Sequence, residues 1–213
     1  PPRSTLFPYT TLFRSHKNET VDDVSFITSL AIYLQKEYSL DPEKTFCAGM
    51  SNGGDMSYLL GCEVPDIFRA IAPITGCMMG WIYDSCNKND PVPVFQVHGT
   101  ADKTTLYNGD VNNKDRRGAY MGVETTISFW VDRNECIVSR VDTLLDVDKN
   151  DGSIVIAEKH TGGINNNEVW FYKVINGDHE WPPGWPERSG NGDLNTSEEI
   201  WKFFQHTIDT RAY

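Results

Sequence analysis

Gly49-Met50-Ser51-Asn52-Gly53-Gly54 carries the spacing G-x-S-x-G, with a serine set two residues from a glycine on either side. That spacing suits a very tight strand-to-helix turn. Small residues must flank the serine, and the turn pushes its hydroxyl out above a sheet. A hydroxyl so presented is placed for attack on an acyl carbon. The helix N-terminus behind it favours the negative charge that then develops, with the Asn52 N–H as an expected oxyanion donor. Without a chemical role, the same residues would be a glycine-rich turn holding an incidental serine.

A serine hydroxyl needs a base, and the base needs an acid to orient it. On this kind of turn the chain order is Ser, acid, His. The acid is expected after a later strand. Asp102 meets that condition, closing His98-Gly99-Thr100-Ala101-Asp102 directly after the apolar run Val92–His98. Asp110, eight residues on, is the second candidate, and a turn-capping role is the alternative for Asp102. Of the five histidines, His179 alone follows the last strand pattern and precedes the last helix pattern. His98 precedes the acid, His160 closes a hairpin, His206 lies in the final helix and His16 is near the start. The alternative for His179 is a solvated loop residue beside Asp178 and Glu180.

The elements that must position these residues follow from periodicity. Val24, Ile27, Ala31, Leu34 and Tyr38 are spaced as one face of a helix, opened by Thr20 with Asp23 three residues later. Thr45–Met50 and Ala70–Thr75 are short apolar strands, and Val92–His98 is a third, with Pro93 near its start. Gly53–Glu63 and the stretch around Val123, Ile127, Trp130 and Val131 are helices. Val141–Leu145 and Ile154–Glu158 flank Asp151-Gly152, a hairpin signal. Glu168–Ile175 is a last strand, and Thr196-Ser197-Glu198-Glu199 opens a last helix. Strands alternate with helices, so the fold class is α/β, a mostly parallel sheet flanked by helices in one domain.

Composition narrows the function. The chain has 213 residues, 39% of them hydrophobic, which suits a packed core. Its net charge is −11 with no basic block, so neither nucleic acid nor an anionic membrane is an expected partner. No apolar run reaches the ~18 residues of a membrane span. None of the five cysteines is paired as C-x-x-C, which argues against a structural zinc site. Asp146-Val147-Asp148-Lys149-Asn150-Asp151-Gly152 approaches a calcium loop. Its glycine falls one place late, however, and Ala157 stands where a bidentate Glu is required, so a polar hairpin tip is expected.

Three segments together carry a family resemblance: GMSNGG with the following LLGCEVPDIFRAIAPITG, then PVPVFQVHGTAD, then GDHEWP. From about Val21 to Phe204 the chain resembles the secreted polyhydroxybutyrate-depolymerase-like and feruloyl-esterase-like branch of the α/β-hydrolases. The resemblance implies a nucleophile, acid and base at Ser51, Asp102 and His179, and an acyl-enzyme mechanism without metal or organic cofactor. It implies an ester substrate, feruloyl or acetyl groups on plant polysaccharide, with a polyhydroxyalkanoate as the alternative. A non-catalytic, carbohydrate-binding relative and an inactive fragment are further alternatives. It also implies a disulfide between Cys62 and Cys86, hence a secreted or periplasmic protein. Trp181, with Trp185 and the prolines beside His179, is a candidate substrate-binding residue or a packed loop.

The chain departs from that pattern in places. Asn176-Gly177-Asp178 stands where glycines are usual, putting a carboxylate beside the base. Ser153 stands near the position of a cysteine partner for Cys136, leaving that thiol free. Residues 1–15, PPRSTLFPYTTLFRS, are similar to one reading frame of a sequencing adapter, so the fold is expected to occupy residues 16–213. On the same resemblance, the first strands and a second oxyanion donor would lie upstream of this sequence. One flank of the sheet is then expected to expose apolar side chains, and the chain as written to be feebly active.

Overall fold

The computed structural model describes residues 22–86, 90–183 and 190–210. Thr20, Trp185 and the adapter-like residues 1–15 lie outside the described residues.

Helix α1 (Asp23–Glu37) leads into strand β1 (Phe46–Met50), helix α2 (Asn52–Glu63) and strand β2 (Ala70–Ile74). A short helix α3 (Gly80–Ser85) precedes β3 (Val94–Gly99) and α4 (Val123–Asn134). Strands β4 (Val138–Thr143), β5 (Ile154–Thr161) and β6 (Val169–Ile175) lead to α5 (Thr196–Asp209). The sheet runs β1-β2-β3-β6-β5-β4. The first four strands in that order are parallel, while β5 and β4 run antiparallel to their neighbours.

Period-2 alternation sorts the central strands onto two cores. Ile71, Val94 and Phe171 face one side and meet Leu60, Ile127 and Trp130 of α2 and α4. Ala72, Ile74, Phe95, Val97 and Tyr172 face the other side and meet Phe203 and Phe204 of α5. Strands buried on both faces read as near-continuous apolar runs, which is why β2 and β3 are legible in sequence. Two buried residues of β3, Gln96 and His98, are polar and share the face of Val94, toward α2.

Three sequence expectations shift. The cap of α1 among the described residues is Asp22, whose carboxylate accepts from Ser25 N–H. The cap of α5 is Asn195, one residue before Thr196, and it accepts from Glu198 N–H. Both substitutes are better side-chain acceptors for an orphan helix N–H. The hairpin signal at Asp151-Gly152 does not make a two-residue turn. Strand β4 starts at Val138, pairs Thr143 with Ile156, and leaves residues 144–153 as a loop. Carboxylates within that loop decide the matter: Asp148 accepts from Asn150 N–H, and Asp151 accepts from Ser153 and Gly192 N–H. The tip is polar, as expected, and Asp148 and Asp151 have their carboxylates on backbone N–H groups. Helix α3 has no signal in the apolar spacing; at six residues it shows no period to read.

Among the described residues the sheet ends at β1, and no residue of α1 is buried. Ile27, Leu30, Leu34, Phe46, Ile200 and Trp201 line an apolar groove of about 570 Å³ between α1, β1 and α5. Phe26 and Tyr33 stand 62% and 59% exposed on α1. Among the described residues no helix is long and apolar enough to cross a membrane.

Cys62, at the end of α2, is disulfide-bonded to Cys86, just after α3, with Cα atoms 5.1 Å apart. Cys47, Cys77 and Cys136 are free. The bridge closes a 24-residue separation and pins the elbow helix to the loop before β3. Cys62→Ser is expected to cost about 3 kcal/mol and to lower the melting temperature by about 8 °C. Calorimetry of the oxidised wild type and the variant measures this, and equal melting temperatures would contradict it.

Candidate active site

The C-terminal ends of β1, β3 and β6 lie along one edge of the sheet, and each delivers one of the three residues singled out above. Ser51 follows β1 directly. Its backbone sits at φ 55° and ψ −121°, a region that costs a non-glycine residue about 1–3 kcal/mol. Three backbone hydrogen bonds hold it there. Ser51 N–H donates to Ile74 C=O at 2.8 Å, and Ser51 C=O accepts from Gly54 and Asp55 N–H at 2.8 and 3.0 Å. Asn52 opens α2.

The glycines of the motif are not equivalent. A side chain on Gly49 would strike the Gly53 carbonyl, and one on Gly54 would come within 2.9 Å of Gly76 Cα. A methyl on Gly53 would meet nothing within 4 Å. The close approaches that make this turn are therefore at Gly49 and Gly54. The expectation that both serine-flanking glycines are required by space holds only for the first.

Asp102 lies in the loop after β3, its side chain fully enclosed. Its Oδ1 accepts from Thr104 and Thr105 N–H at 2.7 and 2.8 Å. Its Oδ2 accepts from His179 Nδ1 at 2.8 Å. Burial pushes this carboxyl up, but hydrogen bonds from His179, His98 and the Thr105 N–H outweigh it and hold the group well below the usual carboxylate range. With Nδ1 bound to Asp102, His179 keeps Nε2 for proton exchange. The Ser51 hydroxyl makes no hydrogen bond among the described residues, and Ser51 and His179 are separated along the edge by the ends of β2 and β3. Catalytic hydrogen bonds are often long without substrate and tighten in its complex.

The other candidates are placed elsewhere. Asp110 accepts from Asp115 N–H at 2.9 Å in its own loop. His160 is part of β5, and His206 on α5 faces Glu168 at 3.1 Å. Asp178, beside the base, has its carboxylate on backbone: Oδ1 accepts from His179 N–H at 2.9 Å and Lys103 N–H at 3.3 Å. Trp181 packs against the α5 core, and its indole N–H donates to Ser197 at 3.0 Å. Among the described residues no three His, Cys, Asp or Glu side chains are grouped to hold a metal.

Two residues near the site were not singled out in the sequence. Asp55, in the first turn of α2, accepts from Cys77 N–H at 2.6 Å and so ties the elbow helix to the loop after β2. Burial pushes its carboxyl up to about 6, against the lowering effect of the Cys77 donors and of His179 and His98. Its signal was an acid four residues after the nucleophile candidate, on a helix otherwise apolar. The second is His98, fully buried, with Nε2 2.9 Å from Thr105 C=O and 3.4 Å from Asp102 Oδ2.

No family model matches the chain. It is 29% identical over 119 residues to feruloyl esterase B of Piromyces equi, covering 54% of this chain and 22% of that protein. It is 32% identical over 94 residues to feruloyl esterase C of Emericella nidulans, covering 44% of this chain and 34% of that protein. The matched stretches thus span between about a fifth and about a third of these relatives. Among solved structures, acetyl xylan esterase from Aspergillus awamori superposes with a TM-score of 0.53 at 12% identity, over 86% of this chain and 67% of that one. Arabidopsis thaliana SOBER1 superposes at 0.50, over 87% and 62%. The fold is that of the α/β-hydrolases.

Two outcomes follow from the geometry. Gly49→Ala should lower the melting temperature by roughly 8 °C or more, whereas Gly53→Ala should leave it within a degree or two; equal effects would contradict the steric account. Asp55→Asn keeps an acceptor for Cys77 N–H and removes an ionisation. A carboxyl raised to about 6 contributes its stability below the ordinary carboxylate pKa and loses it as pH rises through about 6. The variant should therefore melt about 8 °C above wild type at pH 8 and level with it near pH 4. A pH-independent difference would show that the carboxyl is not strained by ionisation.

Proposed function

We propose that this chain, an α/β-hydrolase-fold homologue of the feruloyl esterases, is a serine esterase that cleaves carboxylic esters through an acyl-enzyme. The observation that carries the reading is the 2.8 Å bond from His179 Nδ1 to the buried Asp102 carboxylate, at the same sheet edge as a strained, helix-opening Ser51. Ser51 Oγ attacks the ester carbonyl carbon while His179 Nε2 takes its proton. Asp102 stays ionised and stabilises the imidazolium that forms. The Asn52 N–H faces the oxyanion. Collapse of the tetrahedral intermediate expels the alcohol, which receives the proton from His179. Water, activated by the same imidazole, then releases the acid and restores Ser51.

The substrate proposed is a feruloyl or acetyl ester on plant polysaccharide, in keeping with what the named relatives are called. A polyester substrate is the alternative within the same chemistry. The Cys62–Cys86 bridge supports work in an oxidising compartment, outside the cell or in a periplasm.

A fluorophosphonate probe, which labels an activated serine covalently, should modify Ser51, and Ser51→Ala should lose both the label and hydrolysis of p-nitrophenyl acetate by about 10⁴-fold or more. Methyl ferulate and acetylated xylan, compared with a polyhydroxybutyrate film, separate the substrate classes. Wild-type turnover in Ser51→Ala would end the reading.

A further inference from the structure

His98 lies inside the sheet at the end of β3, fully buried, on a face otherwise packed with apolar side chains. A buried polar ring is costly unless its atoms are paired, and both of its nitrogens have neighbours in a directional chain. Tyr58, on α2 and also fully buried, donates its hydroxyl to Gln96 Oε1. With its Oε1 so engaged, the Gln96 amide turns its nitrogen toward His98. Gln96 Nε2 then sits 3.4 Å from His98 Nδ1, so Nδ1 is the acceptor. The ring proton is thereby placed on Nε2, which donates to Thr105 C=O at 2.9 Å and lies 3.4 Å from Asp102 Oδ2. That oxygen is the one His179 Nδ1 reaches at 2.8 Å.

We propose that His98 is a positioning residue for the reaction: as a neutral imidazole with its proton on Nε2, set by Tyr58 and Gln96, it holds the loop from Asp102 to Thr105 so that Asp102 Oδ2 meets His179. The inference rests on Asp102 and His179 being acid and base. His98 touches no reacting atom and acts through Asp102. Two restraints meet on the loop. The Thr104 and Thr105 N–H groups fix Asp102 Oδ1, and His98 ties the Thr105 carbonyl to the sheet.

The charge consequence has a sign. A donor beside Oδ2 takes up part of the carboxylate's negative charge, so less of it favours the His179 imidazolium. Removing that donor leaves more negative charge facing the imidazolium formed in the reaction, so the acid limb of the pH–rate profile should move up. The other titratable groups around this pair are Asp55 and Tyr58 on α2, Cys77 after β2, Tyr107 edge-on to His98 at 6.0 Å, and Asp178 beside His179. None of them is altered in the variants below except Tyr58, whose phenol stays un-ionised because burial pushes it well above its ordinary range.

The test is steady-state hydrolysis of p-nitrophenyl acetate across pH, with a thermal melt for each protein. His98→Leu should lower kcat about 30-fold, the size that losing an orienting neighbour carries, with KM within about twofold. Its acid limb in kcat/KM should move up by about half a unit. His98→Gln, which can still present an N–H toward Thr105 and Asp102, should recover most of kcat. Tyr58→Phe keeps the ring and removes only the hydroxyl, so it reports even where His98→Leu does not fold. It should lower kcat about threefold and move the limb the same way. Wild-type kcat and acid limb in Tyr58→Phe, or in a folded His98→Leu, would overturn the proposal and leave His98 as packing. Failure of His98→Gln to recover activity would overturn it too. Ser51→Ala separates the two levels. If that variant is dead while the His98 and Tyr58 variants behave as wild type, the positioning role fails and the esterase reading stands. If Ser51→Ala turns over, both fall.

Discussion

The register of the parallel strands is the constraint on which the site depends. Phe46 to Met50 pair in order with Ala70 to Ile74, and Val94 to Gly99 pair in order with Val169 to Val174. Parallel ladders bring the same ends of their strands to the same edge, with neighbours about 4.8 Å apart. Ser51, Asp102 and His179, far apart in sequence, are therefore delivered to one edge by backbone hydrogen bonds before any side chain is considered. The ladder continues past the strands. Ser51 N–H bonds Ile74 C=O, Thr75 N–H bonds Val97 C=O and Thr100 N–H bonds Val174 C=O. Gly99 lies against Gly177, where any side chain would strike the Gly177 carbonyl, so the acid loop and the histidine loop touch backbone to backbone.

Burial pushes both carboxyls near this edge up, and the donors around them decide that one ends low and the other high. Asp102 has four donors around its two oxygens and stays ionised. Asp55 shares the Cys77 donors and is pushed up to about 6. What differs is the supply of N–H groups. The loop after β3 curls so that two consecutive amides point at Asp102, while Asp55 sits on a helix whose own amides are committed to its ladder. The fold thus holds one acid well below the usual carboxylate range beside the imidazole and another, under the elbow, raised to about 6.

The outer parts of the molecule carry less constraint. Strand β4 is exposed along its whole length, and the opposite edge, β1, is only partly covered. The α1 helix shows an apolar face with no buried residue, over a groove it shares with α5. The residues that hold the active-site edge instead lie in the interior, where Gln96 and His98 interrupt an apolar strand and find partners in Tyr58, Thr105 and Asp102.

Local patterns decided what the sequence revealed. A serine between close glycines after an apolar strand, an acid after VPVFQVH, and one histidine between the last strand and last helix identified the candidate residues, because chain order and turn sterics are properties of short segments. Strands β2, β3 and β6 were legible because strands buried on both faces read as near-continuous apolar runs, and β1 was legible as a short, mostly apolar run before the glycine-rich turn. Tertiary structure alone decided which cap each terminal helix uses, where β4 begins, and that Gly54 rather than Gly53 makes the close approach behind Ser51. These depend on what lies opposite in space. It also decided the roles of Asp55 and His98. In sequence, His98 is simply a polar residue at a strand end. Only the packing of Tyr58, Gln96 and Thr105 around it sets its proton, and only the loop geometry brings Asp102 within reach, because hydrogen bonds across 38 residues are set by the fold and leave no local spacing to read.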